Sequence, residues 1–206
     1  MKKTLREIPS KPRRSASIIG TGSYLPERIL TNADLEVMVE TSHQWIVERT
    51  GILERRIAGE NEFTSHMAAE AAKAAIENAG ITVEEIDLIL VGTITPDTVF
   101  PSTACHVQRL IGAKNATCFD VNAACSGFLY GVEIANQFIA NHTYDTVLVI
   151  GADKLSSIVN WKDRNTCVLF GDGAGAAILR SRPGSRGIIT THMGSDGNYA
   201  DILHMP

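Results

Sequence analysis

Long apolar runs are missing from this 206-residue chain, and none approaches the ~20 residues that a membrane-spanning helix needs. Positive charge in excess is missing too. A formal net charge of −4 gives no basic field for holding nucleic acid. The first fifteen residues contain Lys2, Lys3, Arg6, Lys11, Arg13 and Arg14 but no apolar core, so they do not make a secretory signal. A solvated basic arm over 1–15 is expected instead. The four cysteines, Cys105, Cys118, Cys125 and Cys167, include no C-x-x-C pair and have no histidine at ligand spacing. Neither a metal site nor a disulfide framework is expected, and a reducing, cytoplasmic setting fits. Two glycine patterns also fall short. Gly20-Thr21-Gly22 has Leu25 where a dinucleotide fingerprint needs its third glycine, and Gly171 to Gly175 lacks the Lys-Ser/Thr that completes a phosphate loop. Close backbone packing is the expected use of the second pattern.

What the chain does have is 44% hydrophobic residues, enough for a real core, arranged as alternating strand and helix patterns. Strands are expected at Ser17 to Tyr24, Leu88 to Thr93, Ala116 to Val121, Thr146 to Ile150 and Thr166 to Phe170. Thr31 or Asn32 can cap a helix through Val39, Ser42 one through Arg49 ending at Gly51, and a longer helix runs from Ser65 to Asn78 before Gly80. Another is expected over Ser102 to Leu110. This alternation predicts an α/β fold, a mostly parallel mixed sheet covered by helices.

The most informative stretch is Asp120-Val121-Asn122-Ala123-Ala124-Cys125-Ser126-Gly127-Phe128. It follows an apolar run that reads as a buried strand and precedes Phe128, Leu129, Val132, Ala135, Phe138 and Ile139 at helical spacing. Cys125 therefore falls at a strand-to-helix turn, where unpaired N–H groups and the helix dipole favour a thiolate. Small neighbours leave room for a substrate at the sulfur. An activated nucleophile and an ordinary structural cysteine both satisfy these residues.

The segment V-N-A-A-C-S-G-F resembles the nucleophile segment of β-ketoacyl-acyl carrier protein synthase III. Four more stretches resemble that family in order: I-I-G-T-G-S-Y-L-P (18–26), T-N-A-D-L (31–35), W-I-V-E-R-T-G-I (45–52) and F-G-D-G-A-G-A-A (170–177). The similarity runs from about Ser17 to Pro206. It implies a thiolase-like fold of two stacked halves in five layers, with residues 16–184 as the first half and 185–206 as a linker and the first strand of a second. It further implies acyl transfer from acyl-coenzyme A to Cys125, then decarboxylative condensation with malonyl-acyl carrier protein, in a homodimer without a separate cofactor. Thr41, Trp45, Arg49 and Arg164 match positions that hold coenzyme A, Leu155 and Phe170 match the acyl pocket, and Phe100 matches a residue that enters the partner subunit's pocket. On the residues alone, Trp45 suits an adenine platform or a core anchor, and the two arginines suit phosphate and base contacts or solvated charges.

The family's condensing His and Asn stand in H-Q-A-N and G-N-T-S segments, and neither segment occurs in these 206 residues. His43-Gln44 belongs to an early helix and Gly197-Asn198 to a D-G-N-Y turn, so neither inherits the role. His66, His106 and His192 remain as possible neighbours of Cys125. The expectation is a truncated or partial enzyme, with two alternatives. One is a related polyketide-type condensing enzyme; the other is a non-condensing half that binds acyl groups or a partner subunit.

Overall fold

The computed structural model describes residues 14–181 and 187–204. Nearly all of the expected basic arm, and residues 185–186 at the start of the expected linker, lie outside the described residues. A five-stranded sheet forms the centre, built from β1 (Ala16–Tyr24), β4 (Leu88–Gly92), β5 (Thr117–Val121), β6 (Thr146–Lys154) and β7 (Asp172–Ser181), in the order β1-β7-β6-β4-β5. A hairpin of β2 (Arg28–Thr31) and β3 (Glu54–Ile57) stands apart from it. The sequence patterns gave no sign of this hairpin, because both strands are only four residues long and polar.

Strand alternation sorts the core onto the two faces of the sheet. Ile89, Val91, Leu148 and Ile150 point to one face, where they meet Met67, Ala68, Ala71, Ala72 and Ala75 of α3 (Thr64–Ala79) and Val107 of α4 (Thr103–Ile111). Leu88, Leu90, Val147 and Val149 point to the other face, against Ala135 and Ile139 of α5 (Gly127–Ala140). These are three layers, helix on sheet on helix. The alanines of α3 let that helix lie close, and a Cβ at Gly22 would fall 2.3 Å from the Ala71 carbonyl oxygen. Thr31 caps α1 (Asn32–Met38) through a capping box with Asp34. Ser42 caps α2 (His43–Thr50), which ends at a left-handed Gly51 as its sequence predicts.

One expectation holds and three are corrected. The sheet is mixed, as expected: β5–β4 and β4–β6 are parallel and β6–β7 and β7–β1 antiparallel, so β7 alone runs against the other four strands. Parallel neighbours arise where α4 and α5 cross over the sheet, while the helix-poor excursion after β6 simply turns back. The strand before Cys125 is not buried and central; β5 is the edge of the sheet, and Phe119 is exposed. Thr166 to Phe170 forms turns rather than a strand, its buried Cys167 and Val168 plugging a small satellite core with Leu30, Leu35, Ile46 and Ile57. Ile188 to Thr191 is no strand either. It is tied to the first strand by one backbone bond, the Ile188 N–H donating to the Ala16 carbonyl at 2.8 Å.

One row of residues across the sheet has almost no side chains. Val121, Gly92, Gly151, Gly175 and Ser23 stand in register from β5 to β1. The N-terminus of α5 rests on this row. A Cβ at Gly92 would come within 2.6 Å of the Gly127 carbonyl carbon, and one at Gly151 within 3.2 Å of Phe128 Cβ. The Gly92 contact is with backbone, so no rotamer change can relieve it. Gly92→Ala should therefore cost about 1–3 kcal/mol through overpacking. The test is thermal unfolding, and an unchanged Tm would mean that α5 is free to lift off the sheet.

Candidate active site

The nucleophile turn is set by β5, by a 3-10 turn over Ala124–Ser126, and by α5. Ala124 is forced to φ 45, a left-handed conformation that costs a residue with a Cβ roughly 1–3 kcal/mol. Packing of α5 on the glycine row holds it there and leaves Cys125 exposed just before the helix. The thiol opens into a cavity of about 190 Å³ lined by Gly92, Ala124, Phe128, Gly151, Asp153 and Gly173, among others. Glycines make its floor because any side chain there would fill it. Gly171 also lines this cavity, so the glycine-rich segment packs closely beside the thiol as its composition suggested.

Several lining residues had not been singled out from sequence. Phe128 was visible only as a helix-face residue. Asp153 lies at the end of β6, and one of its carboxylate oxygens accepts from the Thr93 hydroxyl, the Ile94 N–H and the Thr95 hydroxyl at 2.9–3.0 Å. That fixes the loop after β4 to the rim of the cavity. Asp120, the first residue of the motif, turns out to serve α4. Its two oxygens accept from the Thr103 and Ala104 N–H groups at 2.7 and 2.8 Å. Leu155 and Phe170 are half-buried and adjoin this region in the chain, but neither lines the cavity. Phe100 is 83% exposed on the loop before α4. None of His66, His106 and His192 lines the cavity; His66 caps α3, and His106 meets the Thr98 hydroxyl.

A second cluster gathers every residue matched to coenzyme A. The Arg49 guanidinium carbon lies 4.4 Å from the centre of the Trp45 ring, and that of Arg164 lies 4.8 Å from it. Arg49 comes from the next turn of the same helix, whereas Arg164 arrives from the excursion after β6, anchored by an N–H donated to the Glu40 carbonyl at 2.8 Å. The Thr41 hydroxyl oxygen is buried beside them and has no hydrogen-bond partner among the described residues. Trp45 itself is half-buried against the satellite core. It is therefore an anchor on one edge and an arginine platform on its faces.

Arg55, which sequence reasoning passed over, joins the two walls of this cluster. It is only 5% exposed. One terminal nitrogen donates to the Asn32 side chain and the other to the Val168 carbonyl, both at 2.7 Å. Asn32 in turn donates to the Ile52 carbonyl at the end of the α2 segment. Burial pulls the Arg55 pKa down from its ordinary value. The link thus ties the segment bearing Trp45 to the loop bearing Arg164.

Among described residues no group of three or more His, Cys, Asp or Glu side chains could hold a metal. No helix in them is long and apolar enough to cross a membrane.

Comparison with known proteins gives this geometry a context. Residues 119–197 match the sequence model described as 3-oxoacyl-(acyl-carrier-protein) synthase III. The β-ketoacyl-(acyl-carrier-protein) synthase III of Caldanaerobacter subterraneus subsp. tengcongensis is 57% identical over 192 residues, covering 93% of this chain and 58% of the relative. Among solved structures, the synthase III of Thermus thermophilus superposes with a TM-score of 0.89 at 40% identity, covering 92% of this chain and 59% of that one. The enzyme from Aquifex aeolicus gives 0.80 at 55% identity, with 82% and 55% covered. A layered sheet with a cysteine at the turn into its covering helix places the molecule in the thiolase-like fold. Within that fold, the chain matches the 3-oxoacyl-(acyl-carrier-protein) synthase III family over the stretch it shares with these relatives. It spans about three-fifths of the length of the curated relatives it matches.

Two measurements check the site. Timed iodoacetamide labelling near neutral pH should modify Cys125 first and the buried Cys167 last, since burial raises the Cys167 pKa as well as hiding it. Earlier labelling of Cys105 or Cys167 would remove Cys125 as the nucleophile. Arg55→Ala should lower stability to urea by about 2–3 kcal/mol, because charge-assisted bonds are lost and their acceptors stay buried. A loss below half a kilocalorie would show that the two walls hold together without it.

Proposed function

We propose that Cys125 accepts a short acyl group from an acyl-coenzyme A, acetyl-coenzyme A foremost, and that the enzyme then condenses it with malonyl-acyl carrier protein, releasing carbon dioxide and starting a fatty-acid chain. The observation that supports this best is the exposed Cys125 thiol over a glycine-floored cavity at the N-terminus of α5. The thiolate attacks the thioester carbonyl, the new carbon–sulfur bond forms, and the coenzyme A thiolate leaves and takes up a proton. N–H groups of the first turn of α5 have no helical partners and can steady the developing oxyanion. Coenzyme A is a substrate here, and no separate cofactor takes part.

Trp45, Arg49, Arg164 and Thr41 are the proposed coenzyme A contacts. Indole and guanidinium offer flat faces to adenine, Arg49 and Arg164 offer charge to phosphate, and the unpartnered Thr41 hydroxyl offers a hydrogen bond. Leu155 and Phe170 are assigned to the acyl pocket. Phe100, standing clear of its own subunit, is assigned to the pocket of a partner in a homodimer. The setting proposed is the cytoplasm.

Condensation makes a further demand. Decarboxylation puts negative charge on the thioester oxygen, and each missing donor costs about 10²–10³ in rate. The H-Q-A-N and G-N-T-S segments that supply those donors in the family are not among these residues. Purified and incubated with acetyl-coenzyme A and malonyl-acyl carrier protein, the 206-residue chain should acquire one acetyl group on Cys125 and yield no β-ketoacyl product. Turnover near that of a complete synthase would overturn this division of labour, and absence of the acetyl adduct would overturn the role of Cys125. Trp45→Ala and Arg164→Ala should each weaken coenzyme A binding by roughly 1–3 kcal/mol in calorimetric titration. Unchanged affinity in both would return Trp45 to a purely structural role.

A further inference from the structure

Cys105 and Cys118 are thirteen positions apart with no motif linking them, yet the fold brings their sulfur atoms to 3.4 Å. Cys105 is the third residue of α4, and Cys118 lies on the edge strand β5 beneath it. Both side chains are half-buried rather than sealed in the core. Their surroundings are unequal. The Cys105 sulfur accepts a hydrogen bond from the Ser102 hydroxyl at 3.3 Å and sits in the first turn of α4, at the positive end of that helix. Cys118 packs against the main core, and its pKa is pushed up to about 12 by burial and then by the neighbouring thiol. The two sulfurs thus sit in unequal surroundings, one in the first turn of a helix and the other against the core.

We propose that Cys105 and Cys118 are a redox-modification site, closed to a disulfide by a hydroperoxide and reopened by a dithiol, and separate from Cys125. The Cys105 thiolate attacks the outer oxygen of the peroxide, the O–O bond breaks, and Cys105 becomes a sulfenic acid while alkoxide or hydroxide leaves and is protonated. The Cys118 thiol then attacks that sulfur. The S–S bond forms, the S–O bond breaks, and water departs with the Cys118 proton. Two thiols have lost two electrons and two protons, and the peroxide has been reduced to water and an alcohol, or to two waters. Forming the bond would bring the sulfurs from 3.4 Å to about 2.05 Å.

The bond would have a defined structural effect. Asp120, two residues beyond Cys118 on the same strand, already holds the first two N–H groups of α4. A disulfide from the next residue of α4 would fasten that turn to β5 a second time, seven positions before the nucleophile.

The test is peptide mapping of the purified protein after a few equivalents of hydrogen peroxide, a catalase quench and N-ethylmaleimide. The Cys105 and Cys118 peptides should appear joined, two hydrogens lighter, and should separate on dithiothreitol. Cys125→Ser removes the competing thiol and should leave the yield of this linkage within twofold. Cys118→Ser should instead trap Cys105 as a dimedone-reactive sulfenic acid. Recovery of both cysteines as separate maleimide adducts, a linkage of either to Cys125, or loss of the linkage in Cys125→Ser would each overturn the proposal. So would the absence of dimedone labelling at Cys105 in Cys118→Ser.

Discussion

The close approach of α5 to the bare backbone of β4 is the constraint on which the rest depends. A helix normally stands off a sheet by the thickness of two side-chain layers. Here Gly92 and Gly127 remove both layers at a single point, so the helix tilts in and its N-terminus meets the C-terminal end of a central strand. The turn joining β5 to α5 must then be very short, and its strain falls on Ala124. Cys125 is exposed because the chain has no room to put it anywhere else. The cavity beside it follows from the same row of glycines, which admits a ligand where a side chain would have closed the space.

Much of this was legible in the sequence, and what was not has identifiable causes. Periodicity and caps located α1, α2, α3, α4 and α5 because Thr31, Ser42, Gly51 and Gly80 act locally, through bonds to residues a few positions away. The strand-to-helix turn at Cys125 was legible for the same reason. Strand order, and the reversal of β7 alone, were not, since they depend on which connections carry a helix. Thr166 to Phe170 was misread because a short apolar run is consistent with a strand or with a plug, and only the hairpin and α1 above it decide for a plug. The glycine row was scattered over three strands and became a feature only once register aligned Gly92, Gly151 and Gly175.

The site residues divide in the same way. Trp45 and Arg49 share a helix turn, so their pairing could be read from spacing, whereas Arg164 reaches them from more than a hundred positions away and needed the family resemblance to be noticed. Arg55 left no signal at all. A charged residue in a short polar strand reads as surface, and its burial becomes visible only when Asn32 and Val168 are seen on either side. Leu155 and Phe170, matched by resemblance, lie beside the cavity in the chain without forming its wall.

The arginine pair on Trp45 carries one more implication. Two cations are held close to one indole, 4.4 and 4.8 Å from its centre. If coenzyme A binds there as proposed, its ring must share the indole with these guanidiniums or exchange places with one of them. In the second case arrival is a two-stage event, a loose encounter followed by an exchange of partners over the indole. Because the exchange changes what lies against Trp45, the light that the indole emits would follow the second stage separately from the first.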